Sequence, residues 1–143
     1  YETGWMHNRV RMIVASFLVK HLRIHWMEGE KHFKNCLVDY NEASNVAQWQ
    51  WVAGCGADAA PYFRIFNPII QGEKFDKEGI YTKRWVPELL NMPNKFLYKP
   101  WELEKKYQEQ IKVVIGKNYP EPMVDHAAAR SAALEAFQKI KKN

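Results

Sequence analysis

Residues 5–22 read WMHNRVRMIVASFLVKHL, and their spacing decides the fold class. Apolar side chains recur at Met6, Val10, Ile13, Val14, Phe17, Leu18 and Leu22, close to the 3.6-residue period of an amphipathic helix. Thr3 and Gly4 supply a start signal just ahead. The stretch predicts one helix from Trp5 to Leu22. On it Trp5, Asn8 and Met12, spaced i, i+3, i+7, would share a face, with Arg9 beside them and Arg11 on the next stripe. A helix that only packs a core needs no Asn or Arg at its aromatic end, and one that only faces water needs no Trp or Met there. Two readings stay open. The face offers an amide, a thioether and an aromatic plane to a flat ligand, or it is a half-buried helix end whose polar residues cap neighbouring loops.

Working outward, Ile24 to Leu37 predicts a second helix interrupted by Gly29, and Asp39-Tyr40-Asn41 a break. A third helix runs from Glu42 or Ala43 to Ala53 and stops at the glycines of AGCGAD. Asp58 to Asp76, with Pro61, Pro68 and Gly72, reads as irregular. A short helix is predicted over Ile80 to Trp85, a longer one from Trp101 to about Ile115, and a last one from Asp125 to Lys142 whose lysines suit the negative end of the helix dipole. No alternating strand pattern and no repeat stands out. The expected class is all-α, in a single compact unit.

The 143 residues include six Trp, seven Tyr and seven Phe, a load that serves cores, flat ligands and interfaces alike. A net charge of +5 permits nucleic-acid binding without establishing it. Cys36 and Cys55 and the five His lack metal-ligand spacing, so no metal is expected and reduced thiols fit the cytoplasm. No apolar run is long enough for a membrane span. Glycine-rich phosphate loops and nucleophile motifs are absent.

Two further constellations carry chemistry. In NVAQWQW, Asn45 and Trp49 share a helix face, while Trp51 lies about 200° from Trp49. One Trp can point inward and the other toward a cavity, or the whole element is a central core helix. Asp39 just ahead needs a partner if buried, and Arg11 is a candidate; otherwise it is an ordinary loop Asp. Arg64, inside the aromatic run YFRIFNP, can contact phosphate or stack on a neighbouring ring.

The motifs TGWMHNRVRM, ASFLVKHLRIHW, LVDYNEASNVAQWQW, DAAPYFRIFNP, GEKFDKEGIYTKRWVPEL and PWE, in this order, resemble the C-terminal half of the FAD-binding domain of the DNA photolyase and cryptochrome family. The tail YPEPMVDHAAARSAALEAF resembles the family's last helix. The resemblance implies helices around a U-shaped FAD and light-driven repair of cyclobutane pyrimidine dimers by electron transfer from reduced FAD. By the match, Trp5, Asn8, Arg11, Asp39, Asn41 and Asn45 line the flavin, with Arg11 and Asp39 as an ion pair and Asn45 beside flavin N5. Trp49 and Trp26 match the proximal and middle members of an electron-transferring Trp chain. Asn8, Arg9, Met12 and Trp51 match the lesion pocket, and Arg64 a DNA-phosphate contact. One departure stands out: Asn41 replaces the second acid of a DxD element.

Within the family, Asn8 and Met12 stand where the (6-4) enzymes carry two His, and together with Asn45 and Trp51 they favour a cyclobutane-dimer photolyase, closest to class I. A signalling cryptochrome and a non-catalytic helical interaction module are the competing readings. The antenna domain and the half that holds the FAD phosphates have no counterpart in these residues. The expectation is therefore that the 143 residues alone bind FAD weakly or not at all, do not repair DNA, and self-associate through an exposed apolar face.

Overall fold

In a computed structural model, which describes residues 2–62 and 64–141, the chain is all-α. Among the described residues the sole β pairing is an isolated bridge between Ile115 and Tyr119. The expectation of a single unit is corrected: residues 1–66 with 124–143 form one compact unit and residues 67–123 a second. No helix among the described residues is long and apolar enough to cross a membrane.

The larger unit begins with α1, Asn8–Ser16. It starts three residues later than predicted because the His7 ring caps it, Nδ1 accepting from the Arg9 amide at 3.2 Å. Trp5 therefore lies outside the helix, 54% exposed, and does not extend the stripe of Asn8 and Met12. The predicted helix also changes pitch. Phe17–His21 form a π turn, closed by an i to i+5 bond from the Leu22 amide to the Phe17 carbonyl at 3.1 Å. Such turns are rare inside α-helices and often mark functional sites.

Helix α2 spans Trp26–Cys36 and α3 Glu42–Ala53. Asn41 caps α3, its side chain accepting from the Ser44 amide at 3.0 Å, as an Asn N-cap should. The two helices meet at Gly29. A Cβ there would stand 2.1 Å from the Trp49 ring, so only glycine lets the indole lie flat on α2. Trp49, 2% exposed, packs edge-on against Phe33 with Ala15 and Val52 around it. Helix α7, His126–Lys141, closes the unit; Asp125 accepts from the Ala128 amide at its start, and Phe137 stacks on Tyr62 at 4.2 Å. Lys142, the predicted end of this helix, lies outside the described residues, as does Phe63 of the DAAPYFRIFNP motif.

The smaller unit departs further from expectation. Inside the stretch read as irregular, α4 spans Pro68–Phe75. Pro68 occupies the first helical position, where its missing N–H costs nothing, and the Asn67 side chain caps the turn. Helix α5, Ile80–Trp85, agrees with the prediction. The long helix predicted from Trp101 is instead a 3₁₀ turn at Pro100–Glu102 and a short α6, Lys105–Gln110. The reason is Gln108: buried, it donates to the Leu103 carbonyl at 2.6 Å and accepts from the Ile115 amide at 3.0 Å, folding the chain back on itself. The core here is hydrocarbon: Leu89, Met92, Leu97, Leu103 and Val113. Beside it, Asp76 accepts from the Tyr81 and Thr82 amides and from the Tyr98 hydroxyl. Burial pushes this carboxyl upward, but the hydrogen bonds, the Thr82 amide foremost, hold it below its ordinary value. Burial and the Asp76 charge push Tyr98 up to about 12.

Candidate functional site

In the larger unit, α1, α2 and α3 enclose a cavity of about 320 Å³. The floor is apolar: Ala15, Phe33, Leu37, Trp49 and Val52. The rim is polar, with Asn8, Arg11, Asp39, Tyr40, Asn41, Ser44, Asn45 and Gln48 converging on it. An apolar slot with a few placed polar groups suits a flat, partly polar ligand.

The rim is held in place from within. Arg11 donates through Nε to the Met6 carbonyl at 2.7 Å and places Nη2 2.9 Å from both Asp39 oxygens. Both side chains reach solvent, so the pair contributes at most about 1 kcal/mol to stability. Its consequence is positional: it ties α1 to the turn before α3. Asn45 is fixed more tightly. Its amide nitrogen donates to the Glu30 main-chain oxygen at 3.0 Å and to Glu30 Oε1 at 3.1 Å. Two acceptors on one side settle which end of the amide is which, and leave Oδ1 to accept from a ligand N–H.

A second cavity of about 440 Å³ lies along the other side of α3, bounded by Met12, Gln48, Trp51, Cys55 and Asp58. Trp49 and Trp51 thus part company as their 200° separation requires: one forms the floor of the first cavity, the other a wall of the second. Arg64 lays its guanidinium 6.0 Å from the centre of the Trp51 ring and 5.8 Å from that of Phe66, at the outer limit of a cation–π contact. The loop bearing it is anchored from the π turn. Lys20, 1% exposed, donates to the Arg64 carbonyl at 2.9 Å, and Ser16 Oγ accepts from the Phe66 amide at 3.2 Å. Burial, with the Arg64 charge second, lowers Lys20 to about 8.

Of the residues expected at a cofactor, Asn8, Arg11, Asp39, Asn41 and Asn45 meet at the first cavity, and Trp5 does not. Of those expected at a lesion, Met12 and Trp51 border the second cavity, Asn8 borders the first, and Arg9 borders neither. Trp26 begins α2 and packs in the same apolar cluster as Trp49. Sequence reasoning missed Glu30, Lys20 and Gln48. Gln48 lies one turn beyond Asn45 on the same helix, a spacing that could have revealed it.

A fit to FAD can be judged from the site itself. The first cavity has the volume of a fused-ring system and not of a whole dinucleotide, near the low end for ligand pockets. Its apolar floor and amide-lined rim suit the rings and the polar edge of an isoalloxazine.

Comparisons with known proteins bear on the same region. The family described as the FAD binding domain of DNA photolyase matches residues 1–139. A deoxyribodipyrimidine photo-lyase from Agrobacterium fabrum is 58% identical over 99% of this chain and 30% of its own length. A class III photolyase structure from Agrobacterium tumefaciens superposes with a TM-score of 0.93 at 58% identity, covering 98% of this chain and 29% of that one. A Synechocystis cryptochrome gives a TM-score of 0.86 at 40% identity, over 92% and 27%. The chain thus spans about a third of the length of the proteins it matches. The Agrobacterium tumefaciens relative is a class III photolyase, whereas the resemblance pointed closest to class I.

Proposed function

Because this chain belongs to the family of FAD-binding domains of DNA photolyase, we propose that it forms the flavin- and lesion-facing part of a light-dependent enzyme repairing cyclobutane pyrimidine dimers in cytoplasmic DNA. Bound FAD supplies, when reduced and excited, an electron that opens the dimer's cyclobutane ring. The residues present fit that cofactor. The observation that carries the reading is the first cavity, where Arg11, Asp39, Asn41 and Asn45 ring the Trp49 floor.

Each residue then has a task. Arg11 and Asp39 orient the polar edge of the ring system. Asn45 Oδ1 accepts from the ring's N–H, held by Glu30. Trp26 and Trp49 form an aromatic relay for electrons entering the site. Trp51 offers a stacking face to an extruded base, as aromatic platforms do elsewhere. Arg9, Arg64 and the basic balance favour phosphate, with the salt dependence that follows.

The test is blue-light repair of a dimer-containing oligonucleotide by the protein expressed from its complete reading frame. Restoration of intact pyrimidines is the expected result. Normal flavin photoreduction without repair would favour a cryptochrome-like photoreceptor, a reading that the aromatic pair Trp26 and Trp49 also suits.

A further inference from the structure

Two primary amides stand one turn apart on α3, and their surroundings differ. Asn45 is locked by the two Glu30 acceptors. Gln48 is exposed, and its side chain has no hydrogen-bond partner among the described residues. It borders both cavities, a position it shares with Met12 alone. Met12 is itself steadied by Asn8, whose Nδ2 lies 3.9 Å from its sulfur. Where the two cavities adjoin, Met12 offers a thioether and Gln48 an amide. With Trp51 bounding the second cavity, an occupant there meets a flat aromatic face and, toward the first cavity, a carboxamide free to turn.

Resting on the repair reading above, we propose that Gln48 is the specificity-determining group for the lesion's bases, pairing with the Watson–Crick edge of an extruded pyrimidine. A carboxamide presents one acceptor beside two donors. In one orientation it matches the C4 carbonyl and N3–H of thymine. Turned over, it matches the exocyclic amine and bare N3 of cytosine. An amide locked like Asn45 would choose one base; an unlocked one accepts both. The site would thus take thymine and cytosine dimers with similar affinity, while Trp51 and Met12 supply contacts blind to base identity.

Gln48→Glu and Gln48→Leu separate these possibilities, with binding measured by fluorescence anisotropy on the protein from its complete reading frame. The probes are oligonucleotides carrying a thymine dimer, a cytosine dimer used before deamination, or no lesion. Wild type should bind the two dimers within about twofold of each other. Gln48→Leu should weaken both by roughly five- to tenfold, the worth of a lost hydrogen bond. Gln48→Glu, whose carboxylate only accepts, keeps one bond to either base but sets an acceptor against the thymine C4 carbonyl or the bare cytosine N3, so it should weaken both dimers alike. Wild-type-like binding of both lesions by Gln48→Leu, or a loss in Gln48→Glu confined to one of the two dimers, overturns the proposal. So does a change in flavin absorption with no change in lesion binding. Wild type that does not distinguish damaged from intact DNA overturns the repair reading and this proposal with it.

Discussion

The two units bury different kinds of matter. Residues 67–123 close over hydrocarbon, with Leu89, Met92, Leu97, Leu103 and Val113 at the centre. The larger unit buries Ser16, Lys20 and His21 beside Ala15 and Trp49, and it also contains both described cavities. A hydrocarbon core gains from burial alone. A buried ammonium or imidazole is tolerated only where it finds partners, and here those partners lie far along the chain: Arg64 for Lys20, His126 for His21 at 2.8 Å. The difference teaches that the larger unit gives up some stability to hold a loop and a terminal helix, whereas the polar side chain buried in the smaller one, Gln108, is neutral and bonded to residues close by in sequence.

That contrast can be broken first at Leu97. Leu97→Ala should cost about 4 kcal/mol in urea unfolding, the scale of a full core truncation. A loss below 2 kcal/mol would mean the hydrocarbon core is not the tightly packed one. Next comes Lys20. Its pKa is lowered to about 8 in the fold from an ordinary 10.5, so between those values the unfolded chain binds more protons and stability rises with pH. Relative to Lys20→Met, wild type should gain about 3 kcal/mol from pH 8 to pH 10.5. Parallel pH profiles for the two proteins would show that Lys20 is not desolvated.

Gly29→Ala is the third test. Overpacking against Trp49 should cost about 2 kcal/mol and shift tryptophan fluorescence; an unchanged spectrum would show that the indole is not seated on α2. The smallest effect concerns the His21–His126 pair. Burial lowers both, with repulsion between the two rings adding at His21, and Arg130 opposing Asp125 at His126. Charging them is therefore disfavoured in the fold, and stability should fall as pH drops below about 6.5. Amide hydrogen exchange in α7 should report it first, and His126→Gln should flatten the dependence.

What the sequence made legible was local. The stripe of Asn45 and Trp49 and the opposition of Trp51 follow from helical geometry, and α3 ends where its glycines say. Trp5 was misplaced because a histidine ring took the N-cap, a role usually held by Ser, Thr, Asp or Asn. Asn41 was read as a missing charge when it also caps α3. Gln48 looked like one more solvated polar residue, since nothing in a linear pattern shows that two cavities meet beside it. The pairing of His21 with His126 spans 105 positions, beyond the reach of any period. Pro68 misled for the opposite reason: a breaker in the middle of a helix is an opener at its first position.

The π turn at Phe17–His21 carries a consequence for how this chain can change length. Such a turn holds one residue more than the α turn it replaces, so excising any single residue within it would let an unbroken α-helix run through. Side chains beyond the cut would then stay on the faces they already occupy, whereas a deletion from a regular α turn rotates them by about 100°. A cut at Leu18 or Val19 would therefore leave Lys20 and His21 turned toward Arg64 and His126, with the loop beside Trp51 and the terminal helix still tied. The turn is thus the one place on this helix where a one-codon deletion would spare the distant contacts that the same deletion one turn earlier would break.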